Sequence, residues 1–378
     1  MMNKALLERL PLGASEGVVP ETGPAGTRLN PYLHFGPDRV ANPLKDRILL
    51  DTDPGFAVLQ GLRGDASLPI AGEVGQRLIA EGWLIGPEED LSRNFLLKYV
   101  SLEAHTVCNQ SCYFCPVSIA PREHHFMATE MYERIVGELS AYRSTIEAVF
   151  MINYNEPTAD PRFVDQVRTI RRAGLPPGVL TNGTGLTPSR VDALLEAGGL
   201  RFLSINLSTL DREKYAKDRG QDQLQMVLKN LDYAKDKALA EQMDMVVLGT
   251  GDERHKSDFA EISERFAGSR FEVKYYEVMD RAGHVQIGMR PEVPRTKLCG
   301  CENIGSRPLQ HLHITPHGKC VLCCEDYDEK HLVGDLTNES VTEVLTSSRF
   351  ALLRKWVYGI EEAPADFICR GCVFSLVS

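Results

Sequence analysis

The sequence predicts an α/β protein built mainly from consecutive β/α units, with a small α+β domain before them and a cysteine-rich domain after them. Three observations carry this expectation. From residue 96 to residue 285, six short apolar stretches alternate with amphipathic ones, the pattern of parallel β/α units. Three cysteines, Cys108, Cys112 and Cys115, share one short loop with C-x3-C-x2-C spacing, directly after the first apolar stretch. Seven further cysteines crowd the chain beyond residue 295: Cys299, Cys301, Cys320, Cys323, Cys324, Cys369 and Cys372.

Taken in order, residues 1–28 are rich in glycine and proline and read as an arm. Residues 29–95 read as a small domain. Residues 48–50 are strand-like, 56–62 helical, and 70–83 have amphipathic helical spacing before the turn at Gly86 and Pro87. Strand followed by helices is similar to the winged-helix domain that binds leader peptides in peptide-modifying enzymes. The alternative is a cap over the following domain. Within residues 96–285 the expected strands are 97–103, 146–152, 178–180, 202–207, 243–247 and 271–276. The expected helices are 128–142, 161–173, 188–196, 223–237 and 256–266. Residues 286–378 form the cysteine-rich domain. Ligands of parallel β/α folds sit at the carboxyl ends of the strands, so the first cysteine loop lies at that rim.

Three thiolates are one too few to close a tetrahedral metal site. A cubane iron–sulfur cluster takes one ligand per iron, usually cysteine thiolate. Three cysteines leave one iron open, and an open position separates a reactive metal site from a structural one. A zinc knuckle completed by His105 is the competing reading, although zinc ligands usually come as separated C-x2-C pairs. The segment 99–116, with Cys108, Cys112, Phe114 and Cys115, resembles the radical SAM enzymes. The resemblance implies a partial (β/α)6 radical SAM barrel. It implies a 4Fe–4S cluster on these three cysteines, with S-adenosylmethionine chelating the open iron. It also implies reductive cleavage of that sulfonium to a 5′-deoxyadenosyl radical, with Phe114 packed near the adenine.

The resemblance extends along the rim. Asn155, Glu156 and Pro157 resemble the family's Gly-Gly-Glu-Pro segment, which meets the amino group of the cofactor; an ammonium needs such acceptors. Thr181, Asn182 and Gly183 form a familiar strand-end motif, where glycine lets backbone pass close to the cofactor. Ser204, Asn206 and Ser208 alternate along one strand and share a face, placed for ribose hydroxyls and the methionine carboxylate. Arg219 resembles the arginine that pairs with that carboxylate, since guanidinium suits a planar two-oxygen anion. Asp280, at the end of the sixth strand, resembles the aspartate that accepts a proton in anaerobic sulfatase-maturating enzymes.

The later cysteines resemble the SPASM and twitch extensions of radical SAM proteins. Gly318 with four residues to Cys323 fits a G-x4-C element, and Cys369 with Cys372 fits the closing C-x2-C pair. The resemblance implies one auxiliary 4Fe–4S cluster held by Cys301, Cys323, Cys369 and Cys372. Cys299 and Cys324 are rivals for two of these places, and Cys320 is unassigned. A zinc site is the alternative. His311 and His313 share one strand face and are expected to be structural.

Net charge is −10, from 42 basic and 52 acidic residues, which argues against a broad nucleic-acid or anionic-membrane surface. No apolar run is long enough to span a bilayer, and no export signal is apparent. A cytoplasmic enzyme is therefore expected, with the ten cysteines read as metal ligands before disulfides. The resemblance to peptide-modifying maturases implies hydrogen abstraction from a ribosomally made peptide. It also implies an electron donor such as flavodoxin or ferredoxin. The alternatives are a dehydrogenase or epimerase of a sugar or cyclitol, and a non-enzymatic scaffold that uses metal only to fold.

Overall fold

The computed structural model of the protein describes residues 26–65, 70 and 72–377, so most of the expected arm lies outside the described residues. Its last part is ordered differently from an arm: Arg28–Leu29 is a strand, paired antiparallel with Leu84–Ile85. Between them lie a three-stranded antiparallel sheet, His34–Phe35, Arg39–Asn42 and Arg47–Leu50, and two helices, Pro54–Gly64 and Gly72–Ala80. Asp53 caps the first helix, its side chain accepting from Gly55 N at 2.7 Å, and also pairs with Arg77 of the second. The unit has its own core around Val40, Leu49, Leu59, Leu78 and Trp83.

The central sheet is where the alternation of residues 96–285 leads. Its six parallel strands are Tyr99–Leu102, Ala148–Phe150, Pro177–Thr181, Leu200–Asn206, Ala240–Gly249 and Glu272–Glu277, adjacent in sequence order. The expected helices appear as Thr129–Leu139, Phe163–Arg172, Pro188–Glu196, Leu224–Ala234 and Glu253–Arg265. The first four each bury an apolar stripe, as with Val167 and Ile170 of the second, while the last buries His255, Asp258 and Ile262. Alternation splits the strands cleanly: Val100, Leu102 and Val149 face the helices within the main core, while Tyr99, Ala148, Phe150 and Phe202 form a separate cluster.

Two features go beyond the sequence reading. A sixth helix, Arg212–Arg219, follows the fourth strand. And the cysteine-rich region is not a separate module hung on the barrel. Its strand His311–Ile314 lies parallel against the first barrel strand, His311 opposite Tyr99. Lys319–Val321 and Leu332–Asp335 then continue antiparallel, giving one nine-stranded sheet. A second pairing, Leu298–Cys301 with Ser375–Val377, folds the last residues of the chain back beside Cys301. Arg354, fully buried on the helix Ser348–Val357, binds the carbonyls of Pro308, Ser92 and Leu345 at 2.9–3.1 Å, which ties this region to the connection before the first strand.

Candidate metal and cofactor site

The loop of Cys108, Cys112 and Cys115 leaves the carboxyl end of the first strand, as expected. What holds it is the helix that the sequence reading missed. Ser111 N donates to Arg219 O at 2.9 Å and Tyr113 N to Asp218 O at 3.1 Å. The loop thus satisfies carbonyls that a helix end leaves open. Gly220 ends the helix with φ +69°, and a Cβ there would run into the Ser111 hydroxyl. Gly220→Ala should therefore cost about 1–3 kcal/mol through left-handed strain and this collision, read as a lower thermal midpoint with weaker iron retention. An unchanged midpoint would show that the loop does not depend on this close approach.

Arg219 links loop and barrel. It is 2% exposed. Its guanidinium lies 3.5 Å from Cys112 Sγ, donates to Asn206 Oδ1 at 2.8 Å and Ser208 Oγ at 2.9 Å, and sits 4.9 Å above the Phe114 ring. Among the described residues it has no ion-pair partner. Phe114 packs with Val246, Leu248 and Val278 at the ends of the fifth and sixth strands. Ser208 Oγ also accepts from Leu248 N at 3.3 Å. Ser204 lies deeper on the fourth strand, opposite Leu180 and Asp244, and its hydroxyl joins no described hydrogen bond of this network.

On the other side, Glu156 N donates to Val107 O at 3.0 Å. The Glu156 carboxylate is buried and already saturated. It accepts from Thr158 N at 3.1 Å, Thr158 Oγ1 at 2.5 Å, Thr181 Oγ1 at 2.6 Å and Asn182 N at 2.8 Å. Burial raises its pKa and these four donors oppose the rise. This carboxylate therefore frames the second and third strand ends, with Pro157 starting a single 3-10 turn beside it. Asn182 Nδ2 donates to Asn109 Oδ1 at 2.9 Å, which fixes the first turn of the cysteine loop. Gly183 has φ +80°, the turn that lets this contact form. Asn155 Nδ2 faces His105 Nε2 at 3.3 Å, and Val107 N donates to His105 Nδ1 at 3.1 Å. With Nδ1 accepting from Val107 N, Nε2 of His105 carries the ring proton and no free lone pair is left for zinc, which removes the zinc-knuckle reading of its role.

Burial pushes the Cys108 thiol up to about 12 and raises that of Cys115. Thiols in such surroundings are poor nucleophiles and become ligands when metal displaces their protons.

Asp280 follows the sixth strand, buried, with its N–H donating to Met289 O at 3.1 Å. The next residues, Arg281 and Ala282, both have positive φ, +55° and +53°, unusual for residues with a Cβ. The bend turns the N–H groups of Ala282 and Gly283 toward Asp280, whose pKa burial nonetheless raises. Arg281 reaches across to Glu325 at 3.2 Å, joining the barrel rim to the cysteine-rich region.

The second cysteine set resolves cleanly. Cys301, Cys323, Cys369 and Cys372 line one cavity, with Arg307, Glu325, Leu322 and Phe374 among the other walls. Cys299, Cys320 and Cys324 do not. Cys320 is fully buried in the sheet core, and Cys324 lies 3.7 Å from Glu325 Oε1. No three His, Cys, Asp or Glu side chains among the described residues converge as a single ion would require. Four thiols lining one cavity are soft donors of the kind that hold an iron–sulfur cluster or zinc. His311 and His313 are buried structural groups, their rings stacked at 4.0 Å.

Residues 102–262 match the model of the radical SAM superfamily, and residues 301–373 that of the iron–sulfur cluster-binding SPASM domain. A tungsten-containing aldehyde ferredoxin oxidoreductase cofactor-modifying protein of Pyrococcus furiosus is 30% identical over 102 residues, 27% of this chain and 28% of that protein. The S-adenosyl-L-methionine-dependent 2-deoxy-scyllo-inosamine dehydrogenase of Niallia circulans is 21% identical over 73% of this chain and 93% of its own. The chain spans less than half the length of the first curated relatives it matches. Among solved structures, Streptococcus suis SuiB bound to its precursor peptide SuiA shares the fold at TM-score 0.55. It is 12% identical, over 91% of this chain and 93% of that one. No described helix is long and apolar enough to cross a membrane.

Proposed function

Since the chain carries a radical SAM domain followed by a SPASM iron–sulfur domain, we propose that it abstracts hydrogen from, and so modifies, a ribosomally made peptide. The radical SAM domain implies a 4Fe–4S cluster that binds S-adenosylmethionine, and the SPASM domain implies auxiliary iron–sulfur clusters. The residues present fit both. At the first site, three thiols stand beside a buried guanidinium that lacks a carboxylate. At the second, four thiols surround a cavity where Arg307 Nε and Glu325 Oε2 are buried without partners. When bound, the first cluster and its cofactor supply the one-electron chemistry that removes a hydrogen atom from the substrate.

The chain's own side chains take the remaining tasks. Arg219, set by Asn206 and Ser208, would supply the positive charge that pairs with the cofactor carboxylate. Phe114 gives the adenine an apolar face. Gly183 and the backbone near Asn155 allow close approach, while Glu156 keeps those strand ends in place. Asp280 takes up a substrate proton. Cys301, Cys323, Cys369 and Cys372 hold the auxiliary cluster.

The observation that carries the peptide reading is the N-terminal sheet. Its outer strand, Arg47–Leu50, has no partner on one side among the described residues, with Ile48 39% and Leu50 40% exposed on the same face and Leu49 buried. An open edge with apolar side chains at alternate positions suits an extended peptide that adds a strand. The likeness to SuiB spans 91% of this chain, and SuiB was seen with a precursor peptide. Ile48→Asp with Leu50→Asp should weaken binding of a labelled short peptide encoded beside this gene at least about tenfold, or about 1.4 kcal/mol. Cleavage of S-adenosylmethionine in the absence of peptide should stay unchanged. The match to the inosamine dehydrogenase, which leaves about a quarter of this chain unmatched, supports a second reading, oxidation of a small cyclic alcohol. Turnover of such an alcohol, with no peptide bound at any concentration, would favour it.

A further inference from the structure

The cavity of the four SPASM cysteines has two charged side chains in its wall, Arg307 and Glu325. Glu325 is paired with Arg281. Arg307 is 7% exposed and has no carboxylate partner among the described residues. Its terminal nitrogens are anchored, Nη1 on His311 Nδ1 and Nη2 on Asn303 Oδ1 at 3.4 Å, whereas Nε is buried with no partner. A buried cation with an orphaned donor is unfavourable unless something anionic completes it.

The anchor is itself neutral. Arginine only donates, so Nδ1 of His311 is the unprotonated nitrogen. Nε2 then carries the proton and donates to Ser101 Oγ at 3.1 Å. Burial, the stacked His313 and Arg307 itself hold His311 well below its usual pKa. The positive charge at this wall therefore belongs to Arg307, and its tether runs through His311 to the first barrel strand, the one that leads into the Cys108 loop.

We propose that Arg307 is the counter-cation of the auxiliary iron–sulfur cluster, fixed by His311 and Ser101 so that its charge raises the cluster's reduction potential. The inference rests on the ligand set given under the proposed function. Four thiolates make a 4Fe–4S centre negative overall, and each added electron makes it more so. A fixed positive charge in an apolar wall favours the reduced form.

The test uses the full chain carrying Cys108→Ala, Cys112→Ala and Cys115→Ala, so that the auxiliary cluster titrates alone. Its midpoint potential is read by dye-mediated reduction followed by electron paramagnetic resonance. Arg307→Gln, which keeps donors but removes the charge, should shift the potential to a more negative value. Arg307→Lys should stay near the parent. An unchanged potential in Arg307→Gln overturns the proposal. Cluster loss in Arg307→Gln that Arg307→Lys restores supports it, and loss in both overturns it by making the side chain mere scaffolding. If the parent itself assembles no cluster, the ligand set fails first, and this inference with it.

Discussion

Replacing Cys108, Cys112 and Cys115 together by alanine should abolish reductive cleavage of S-adenosylmethionine while leaving the auxiliary cluster in place. The two sets are held by different parts of the fold. The first loop hangs on the C-terminal carbonyls of the helix Arg212–Arg219 and on the strand end at Asn182. The second set is gathered by the pairing of Leu298–Cys301 with Ser375–Val377 and by the turn Ile368–Gly371. With Cys301, Cys323, Cys369 and Cys372 as the proposed auxiliary ligands, iron should fall from about eight to about four per chain. Release of 5′-deoxyadenosine under dithionite should fall to the uncatalysed level, because no iron with an open position remains. Two results would sink this division. Loss of all iron would mean one interdependent centre, and zinc in place of iron with no cleavage by the intact chain would leave only a metal-dependent scaffold.

How much of this could be read from residues depends on how local the cause is. The six strands and five of their helices were legible because burial on one face leaves a period in the sequence. The helix Arg212–Arg219 was not. It buries only Tyr215 and Arg219, so it carries no apolar stripe. Its ends were nonetheless written in the chain: Asp211 caps it through Lys214 N at 3.0 Å, and Gly220 closes it in the left-handed region. Reading caps before periodicity would have found the element that carries the cysteine loop.

The joined sheet was illegible for another reason. The pairing of His311–Ile314 with Tyr99–Leu102 joins segments far apart in sequence, and a buried parallel strand shows a plain apolar run with no mark of its neighbour. The four cysteines that line the second cavity were legible only through spacing that resembles a known family. What surrounds them was not: Arg307 looks like any arginine until it is seen to have no ion-pair partner among the described residues and an orphaned Nε. Glu156 shows the reverse case. Its place in a Glu-Pro pair pointed toward the cofactor, whereas its carboxylate is occupied by four donors from the protein itself.

Asp280→Asn should lower product formation about 10²–10⁴-fold, the usual range for loss of a positioned proton acceptor, while cofactor cleavage and iron content stay near those of the parent. The residue follows the sixth strand, beside a backbone bend that holds Arg281 and Ala282 at positive φ. Strain of this kind clusters at functional sites. Burial raises the Asp280 pKa, the charge of Glu325 adds to it, and the N–H groups of Gly283 and Ala282 oppose it. The acid limb of the rate profile should accordingly lie above the ordinary carboxylate value, since the base works only when ionised. The sign for stability runs the other way. A carboxyl whose folded pKa exceeds its unfolded one keeps more protons in the native state, so stability falls as pH rises through that window. Asparagine removes this cost, and the variant should melt no lower than the parent at neutral pH. A lower melting point together with lost iron would make Asp280 a structural turn residue, and full turnover in the variant would assign the proton to another group.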